Sequence, residues 1–232
     1  RCYVGGQTMP VATMTSVEKE FKVPLIELWG MTEIAGLGAT FPLFGPNKHG
    51  SIGCAIPYCE LKIVDVSDCS KQMKAGEVGE LMVKGPITMM GYFGDEEKTR
   101  ETLEPDGWLH SGDLAKIDKD GCVYIVDRKK DMIITGGYNV YPAEIERVLA
   151  ANPKVALAAV GKQNDELKGE IAKAYIVLKE GKNATEDEII AFCHEELAAY
   201  KCPRKVQFVK DVPKTSTGKI MRRELNTLDN LS

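Results

Sequence analysis

Residues 126–146 read VDRKKDMIITGGYNVYPAEIE, and the texture of the chain changes within them. An apolar strand ends at Val126, and Arg128, Lys129, Lys130 and Asp131 then break the apolar pattern. A second apolar run follows, then a Gly136-Gly137 turn, then a helix opened by Pro142. Proline suits a first helical position, because its fixed φ is already helical and its missing N–H would have had no partner there. Ile145, Val148 and Leu149 give that helix an apolar stripe. The charged run, 127–131, therefore reads as a boundary between two blocks of different texture, where a few residues can absorb a domain rotation. Taken alone, such a run is equally a solvated face.

Working outward, residues 50–127 hold short alternating runs at 60–66, 78–84 and 122–126, separated by Gly, Pro and Asp. That texture predicts short strands forming a barrel-like or sandwich-like sheet. Before it, residues 10–22 predict a helix starting at Pro10, and 23–28 a short strand running into Trp29-Gly30-Met31-Thr32-Glu33. After the boundary, strand-like runs at 155–160, 171–178 and 206–209 alternate with helices. One helix follows a capping box at Thr185-Glu186-Asp187-Glu188, and a short one is expected over 219–225. The fold class is multidomain, α/β and α+β. Residues 1–50 read as the end of an α/β domain, 51–129 as a β-rich, barrel-like subdomain, and 130–232 as a small α+β domain.

Composition excludes several classes. The 232 residues carry 30 Lys and Arg against 34 Asp and Glu, a net charge of −4, which argues against a nucleic-acid binder. No apolar run reaches the roughly 18 residues that span a bilayer, so no integral membrane segment is expected. Seven cysteines, an odd number with no CxxC pair, point to reduced thiols rather than a disulfide framework or zinc site. His49, His110 and His194 are far apart in sequence, so a histidine metal site would need tertiary structure to assemble it.

Four stretches can carry chemistry. In Pro213-Lys214-Thr215-Ser216-Thr217-Gly218-Lys219, Gly218 lets backbone approach a phosphate and Lys219 supplies a point charge. It is no Walker loop: Pro213 stands where glycine is needed and Ile220 where Ser or Thr is needed. A solvated basic loop has the same appearance. Trp29–Glu33 offers a ring to stack on a base, Gly30 for close approach, the Thr32 hydroxyl for a phosphate and the Glu33 carboxylate for Mg²⁺. It is also a plain turn. Trp108-Leu109-His110-Ser111-Gly112-Asp113 presents an Asp that either closes a turn or accepts ribose hydroxyls. Gly136-Gly137 permits close contact with a ligand or simply turns the chain.

The ordered set is more specific than its parts. WGMTE (29–33), GEVGELMVKGP (76–86), WLHSGDLA (108–115), VDRKKDMIITGGYNVYPAEIE and PKTSTGKIMRREL (213–225) resemble, in that order, the adenylate-forming superfamily of acyl-CoA synthetases, luciferases and peptide-synthetase adenylation domains. The resemblance covers the whole chain and is strongest to bacterial fatty-acid–CoA and 4-coumarate–CoA ligases. It implies a two-step reaction: a carboxylate attacks the α-phosphate of ATP to give acyl-AMP and pyrophosphate, then the CoA thiol displaces AMP. It implies ATP/AMP, Mg²⁺ and coenzyme A as ligands and a carboxylic acid, fatty acid favoured, as substrate. A cytoplasmic location follows, compatible with loose membrane association. Residue by residue, it makes Lys219 the adenylation lysine, Thr32 a phosphate contact and Glu33 the Mg²⁺ ligand. Gly5, Gly6 and Gln7 become the adenine turn, Trp29 and Gly30 lie beside the base, and Asp113 and Arg128 hold the ribose. Lys130 becomes the hinge, and Gly136, Gly137 and Tyr138 face CoA. Position 29 is more often Tyr in the family, and Asn139 stands where some members have a phosphate-binding Arg. The family's upstream Ser/Thr/Gly-rich phosphate loop is absent from these residues. The chain is therefore expected to be the C-terminal part of a ligase, inactive by itself. The remaining readings are an adenylation module that loads a carrier protein and a non-catalytic nucleotide- or CoA-binding fragment.

Overall fold

The computed structural model describes residues 1–232 apart from 7, 8, 43, 45, 46, 217, 231, 232 and the side chain of Asn230. Its internal contacts divide the chain into two units, Arg1–Lys129 and Lys130–Ser232, so the division falls inside the charged run.

In the first unit, β1 (Cys2–Val4) lies parallel to β2 (Leu25–Trp29), with α1 (Val11–Phe21) between them in sequence. Pro10 precedes α1, and Lys22, in the left-handed region at φ 53°, ends it. β3 (Ala39–Thr40) and β4 (Cys54–Ala55) extend this sheet antiparallel. A second sheet is an antiparallel meander in the order β5 (Glu60–Val64), β6 (Gly79–Lys84), β7 (Leu109–Ile117) and β8 (Val123–Arg128). Among the described residues this sheet stays open, although a barrel-like form was expected. Its end strands, β5 and β8, do not pair with one another among the described residues. An isolated bridge from Gly53 to Val123 joins the two sheets. Trp29, Ile34, Ala39 and Ile52 pack in one core cluster with Ile63, Leu81, Val83, Leu109, Ala115 and Val123. Each such large apolar side chain contributes roughly 1.5–3 kcal/mol on burial.

One helix lay outside the sequence reading. α2 (Glu96–Thr102) buries no residue and so has no apolar stripe to betray it. Its start is set by Asp95, whose side chain accepts from Lys98 N, and by Glu96 and Glu97 in the first turn.

In the second unit, β9 (Ile133–Thr135) and β10 (Tyr138–Val140) form a hairpin. β11 (Val155–Asp165) and β12 (Gly169–Leu178) follow, and the sheet runs β10-β9-β12-β11 with β13 (Lys205–Phe208) parallel to β12. Alternation along β11 and β12 separates two clusters. Val160, Ala174 and Ile176 pack with Ile145 and Leu149 of α3 (Pro142–Ala151) and Ile189 and Cys193 of α4 (Glu186–Glu196). Ala159 and Tyr175 instead meet Val212 and Leu225 from the C-terminal segment. Thr185 caps α4 with both arms of the capping box formed. The helix expected over 219–225 starts later, as a 3₁₀ segment over Arg222–Asn230. Lys214 bridges Ile220 and Gly218 sits at φ 84°, so residues before Arg222 are spent on a tight turn.

Candidate functional site

β1 and β2 run parallel, so their C-terminal ends point the same way. Such strand ends are where open α/β sheets leave a crevice. Gly5 follows β1, and a Cβ there would stand 2.4 Å from Leu28 Cδ1 and 3.1 Å from the Leu28 carbonyl, so any larger residue would push the Leu28 side chain aside. Gly6 follows at φ 88°; Gln7 lies outside the described residues. On β2's side, a Cβ on Gly30 would run into the carbonyl of Gly36. Glycine at 30 thus allows the chain to fold back over itself, and Thr32–Ile34 forms a 3₁₀ turn. Thr32 is exposed and Glu33 half-buried.

Trp29 is only 7% exposed, so its ring is a core element rather than an open stacking surface. A Cβ on Gly38 would stand 2.6 Å from its Cζ3, which shows how tightly the indole is enclosed. Its polar edge finds a partner: Nε1 donates to Asp113 Oδ2 at 2.8 Å. Arg128 Nη1 donates to the other oxygen, Oδ1, at 2.7 Å. Asp113 and Arg128 are register partners on β7 and β8, so the ladder itself sets up this pair. The Asp113 side chain is 11% exposed and that of Arg128 49%. Ser111 steadies the approach, donating from Oγ to Leu81 O at 2.6 Å while accepting from Asp113 N at 3.1 Å. A carboxylate has about four lone-pair positions. Two are used here, which fixes the group's orientation and leaves acceptor capacity for hydroxyls.

Glu33 is gripped by a residue the sequence reading missed. Tyr92 Oη donates to Glu33 Oε1 at 2.7 Å, and Met89 N donates to the Glu33 carbonyl at 2.8 Å. The chemistry of the group fits a hard cation, because a carboxylate oxygen remains beside a turn with an exposed hydroxyl.

A second polar group is built into the meander. Glu80, 2% exposed, takes Lys129 Nζ at 2.7 Å and His110 Nδ1 at 3.2 Å on the same oxygen, and His110 Nε2 lies 3.0 Å from Glu104. Burial pushes the Glu80 carboxyl upward, but His110 and Lys129 outweigh it and hold the pKa below its ordinary value. The bond to Glu80, aided by Glu104 and opposed by burial, raises His110. Cys69, Glu80 and His110 offer ligand atoms within 4.8 Å of one another, so tertiary structure does assemble a His/Cys cluster. The Lys129 ammonium already neutralises its carboxylate. The available signal was an acid inside the apolar run of β6.

In the second unit, Gly136 and Gly137, at φ 57° and 83°, turn the β9–β10 hairpin between the paired residues Thr135 and Tyr138. Two positive φ values in a two-residue hairpin demand glycine-like residues. Tyr138 is exposed and stacks on Tyr200, centroids 4.7 Å apart. Lys219 is exposed at the end of its own turn, where Thr215 N donates to Lys219 O and Lys219 N donates to Thr215 Oγ1. Lys130 is exposed at the start of the unit. Next to it, Asp131 accepts from Arg222, which also makes a two-pronged pair with Glu146. The structure thus ties Asp113 and Arg128 to Trp29, sets Gly5 against Leu28, and puts Gly30 at the start of the turn that carries Thr32 and Glu33. Gly136–Tyr138 and Lys219 occupy two separate places on the second unit.

Two protein families match this chain: AMP-binding enzyme over residues 1–93 and AMP-binding enzyme C-terminal domain over residues 144–219. The long-chain-fatty-acid–CoA ligase of Bacillus subtilis is 40% identical over 224 residues, which cover 97% of this chain and 40% of that one. The chain thus spans two fifths of that relative's length. ATP-bound MatB from Rhodopseudomonas palustris superposes with a TM-score of 0.92 at 32% identity, over 99% of this chain and 45% of its own. The o-succinylbenzoate CoA synthetase of Bacillus subtilis, in complex with ATP and a magnesium ion, does so at 0.84 and 36% identity, over 97% of this chain and 46% of its own.

Proposed function

We propose a function from the premise that this chain belongs to the AMP-binding, adenylate-forming enzymes: it is the nucleotide-holding and step-switching part of an ATP-dependent carboxylate–CoA ligase. One observation carries the reading, the Asp113 carboxylate held by Trp29 and Arg128 next to the Gly30–Glu33 turn.

Asp113 accepts the ribose hydroxyls, with Arg128 orienting it and adding a second ribose contact. Gly5, Gly6 and Gln7 form the adenine turn, and Gly30 allows backbone close to the nucleotide. Thr32 meets the phosphate. Glu33 would hold Mg²⁺, which neutralises phosphate charge when bound. Lys219 bridges the carboxylate and the α-phosphate in the first step, stabilising the charge that develops as acyl-AMP forms and pyrophosphate leaves. Gly136, Gly137 and Tyr138 serve the second step, in which the CoA thiol attacks the acyl carbon and AMP departs. These two sets lie at different places on the second unit, and a turn of the backbone at Lys130 exchanges them between steps.

The substrate proposed is a fatty acid, the acid named for the Bacillus subtilis relative at 40% identity; 2-succinylbenzoate–CoA ligases reach 43%, so the choice of acid rests on the assay. Pyrophosphate exchange with a panel of carboxylates, in the ligase carrying this chain, tests both points. Exchange is expected to be strongest with fatty acids. Lys219→Ala is expected to abolish exchange yet leave thioester formation from supplied acyl-AMP. Exchange that survives Lys219→Ala sinks the assignment of Lys219.

A further inference from the structure

Tyr92 and Glu33 are 59 residues apart in sequence, yet the phenol donates a 2.7 Å hydrogen bond to the carboxylate. They meet because the loop after β6 folds back over the turn after β2. Several contacts hold that loop. Met89 N donates to the Glu33 carbonyl at 2.8 Å, and Tyr92 N donates to Thr99 Oγ1 at 2.8 Å. Thr99 sits on α2, whose start is capped by Asp95. Gly91 lies at φ 152°, and a Cβ there would stand 2.9 Å from Thr99 Cγ2, so the approach needs glycine. The Lys98 ammonium lies 4.5 Å from the centre of the Tyr92 ring, on which it can rest as a cation on a π-face.

The phenol acts on Glu33 in two ways. It occupies Oε1 and so stops the carboxylate from turning about its last bond. That leaves Oε2 as the oxygen free to meet a cation. Mg²⁺ demands near-ideal octahedral geometry and binds through one or two oriented carboxylates.

We propose that Tyr92 is a positioning residue for cation binding: it locks Glu33 so that a single carboxylate oxygen is presented to the Mg²⁺ of Mg·ATP. The inference rests on the reading of Glu33 as the cation ligand. Tyr92 itself touches neither cation nor nucleotide in this scheme.

The test uses the whole ligase and Mn²⁺ as the probe, with free Mn²⁺ counted by its EPR signal in the presence of ATP. Tyr92→Phe is expected to raise the Mn²⁺ dissociation constant about tenfold, the scale of one hydrogen bond to a charged group. Glu33→Gln raises it at least as much, and the double variant is no weaker than Glu33→Gln, because the phenol acts only through that carboxylate. Thr99→Val, which frees the Tyr92 N–H but spares the phenol, gives a smaller rise and guards against misreading a melted loop. Should Glu33→Gln weaken Mn²⁺ while Tyr92→Phe and Thr99→Val leave it unchanged, the positioning role is overturned and the ligand assignment stands. Unchanged Mn²⁺ binding in Glu33→Gln overturns both.

Discussion

Trp29 donates its indole N–H to Asp113 Oδ2 across 2.8 Å, joining the end of a parallel strand to an antiparallel meander 84 residues away. The position is more often tyrosine in the family the motifs resemble. Here the indole nitrogen supplies a donor from a ring set in the core. Trp29→Phe keeps the ring and removes the donor. The near-buried Asp113 oxygen then lacks a partner, at a cost of about 1.5–3 kcal/mol. Urea unfolding of the chain measures this. Nucleotide affinity should fall along with it, whereas a change in stability alone would confine Trp29 to packing.

Gly30 fixes the turn after β2 by sterics. Any Cβ there meets the Gly36 carbonyl, which belongs to the backbone and cannot swing away. Gly30→Ala is expected to destabilise the chain by about 3 kcal/mol, the upper range for overpacking. Gly76→Ala is a useful contrast: its Cβ meets nothing within 4 Å, so its penalty comes only from φ 88°. Thermal melts of both variants, with Gly30→Ala the lower, check the claim.

The Glu80–His110–Glu104 group makes stability depend on pH in two directions. His110 binds its proton more tightly when folded, chiefly through Glu80. Its contribution is complete below the unfolded imidazole pKa of about 6.5 and is lost as pH rises through the higher folded value. Glu80 is held below its ordinary value despite burial, by His110 and Lys129. Its contribution is present above the unfolded carboxyl pKa of about 4.3 and is lost as pH falls through the lower folded value. His110→Gln should therefore abolish the decline in urea midpoint above about pH 6.5. An unchanged alkaline slope in that variant would place the titration elsewhere.

The cysteines differ in reactivity for reasons of burial. Cys193 is fully buried, and desolvation pushes its thiol up to about 12. At pH 8 its thiolate fraction is on the order of one in ten thousand. Cys2 and Cys54 are exposed. Iodoacetamide should label Cys2 and Cys54 first and reach Cys193 and Cys202 only after denaturation, as peptide mass mapping would show. Early labelling of Cys193 would mean that α4 opens locally.

Features governed by neighbours in sequence were legible before the structure. The capping box at Thr185–Glu188 spans four residues, Pro142 opens α3 by its own ring, alternation marks β6 and apolar runs mark β11 and β12. α2 escaped because a helix held by its cap and charges leaves no apolar period. The segment 219–225 misled because a Gly218 turn uses the residues that helical propensity would claim.

Five motifs in a fixed order carried the family resemblance, and the local pattern carried most of the strands and helices outside the last motif. Tertiary structure decided which of those motif residues act together. Trp29 reaching Asp113, Tyr92 reaching Glu33 and Lys129 reaching buried Glu80 are pairings 84, 59 and 49 residues apart. No local propensity encodes them. They exist because sheet register and a shared core bring distant strands within hydrogen-bond reach, where a buried donor must find an acceptor.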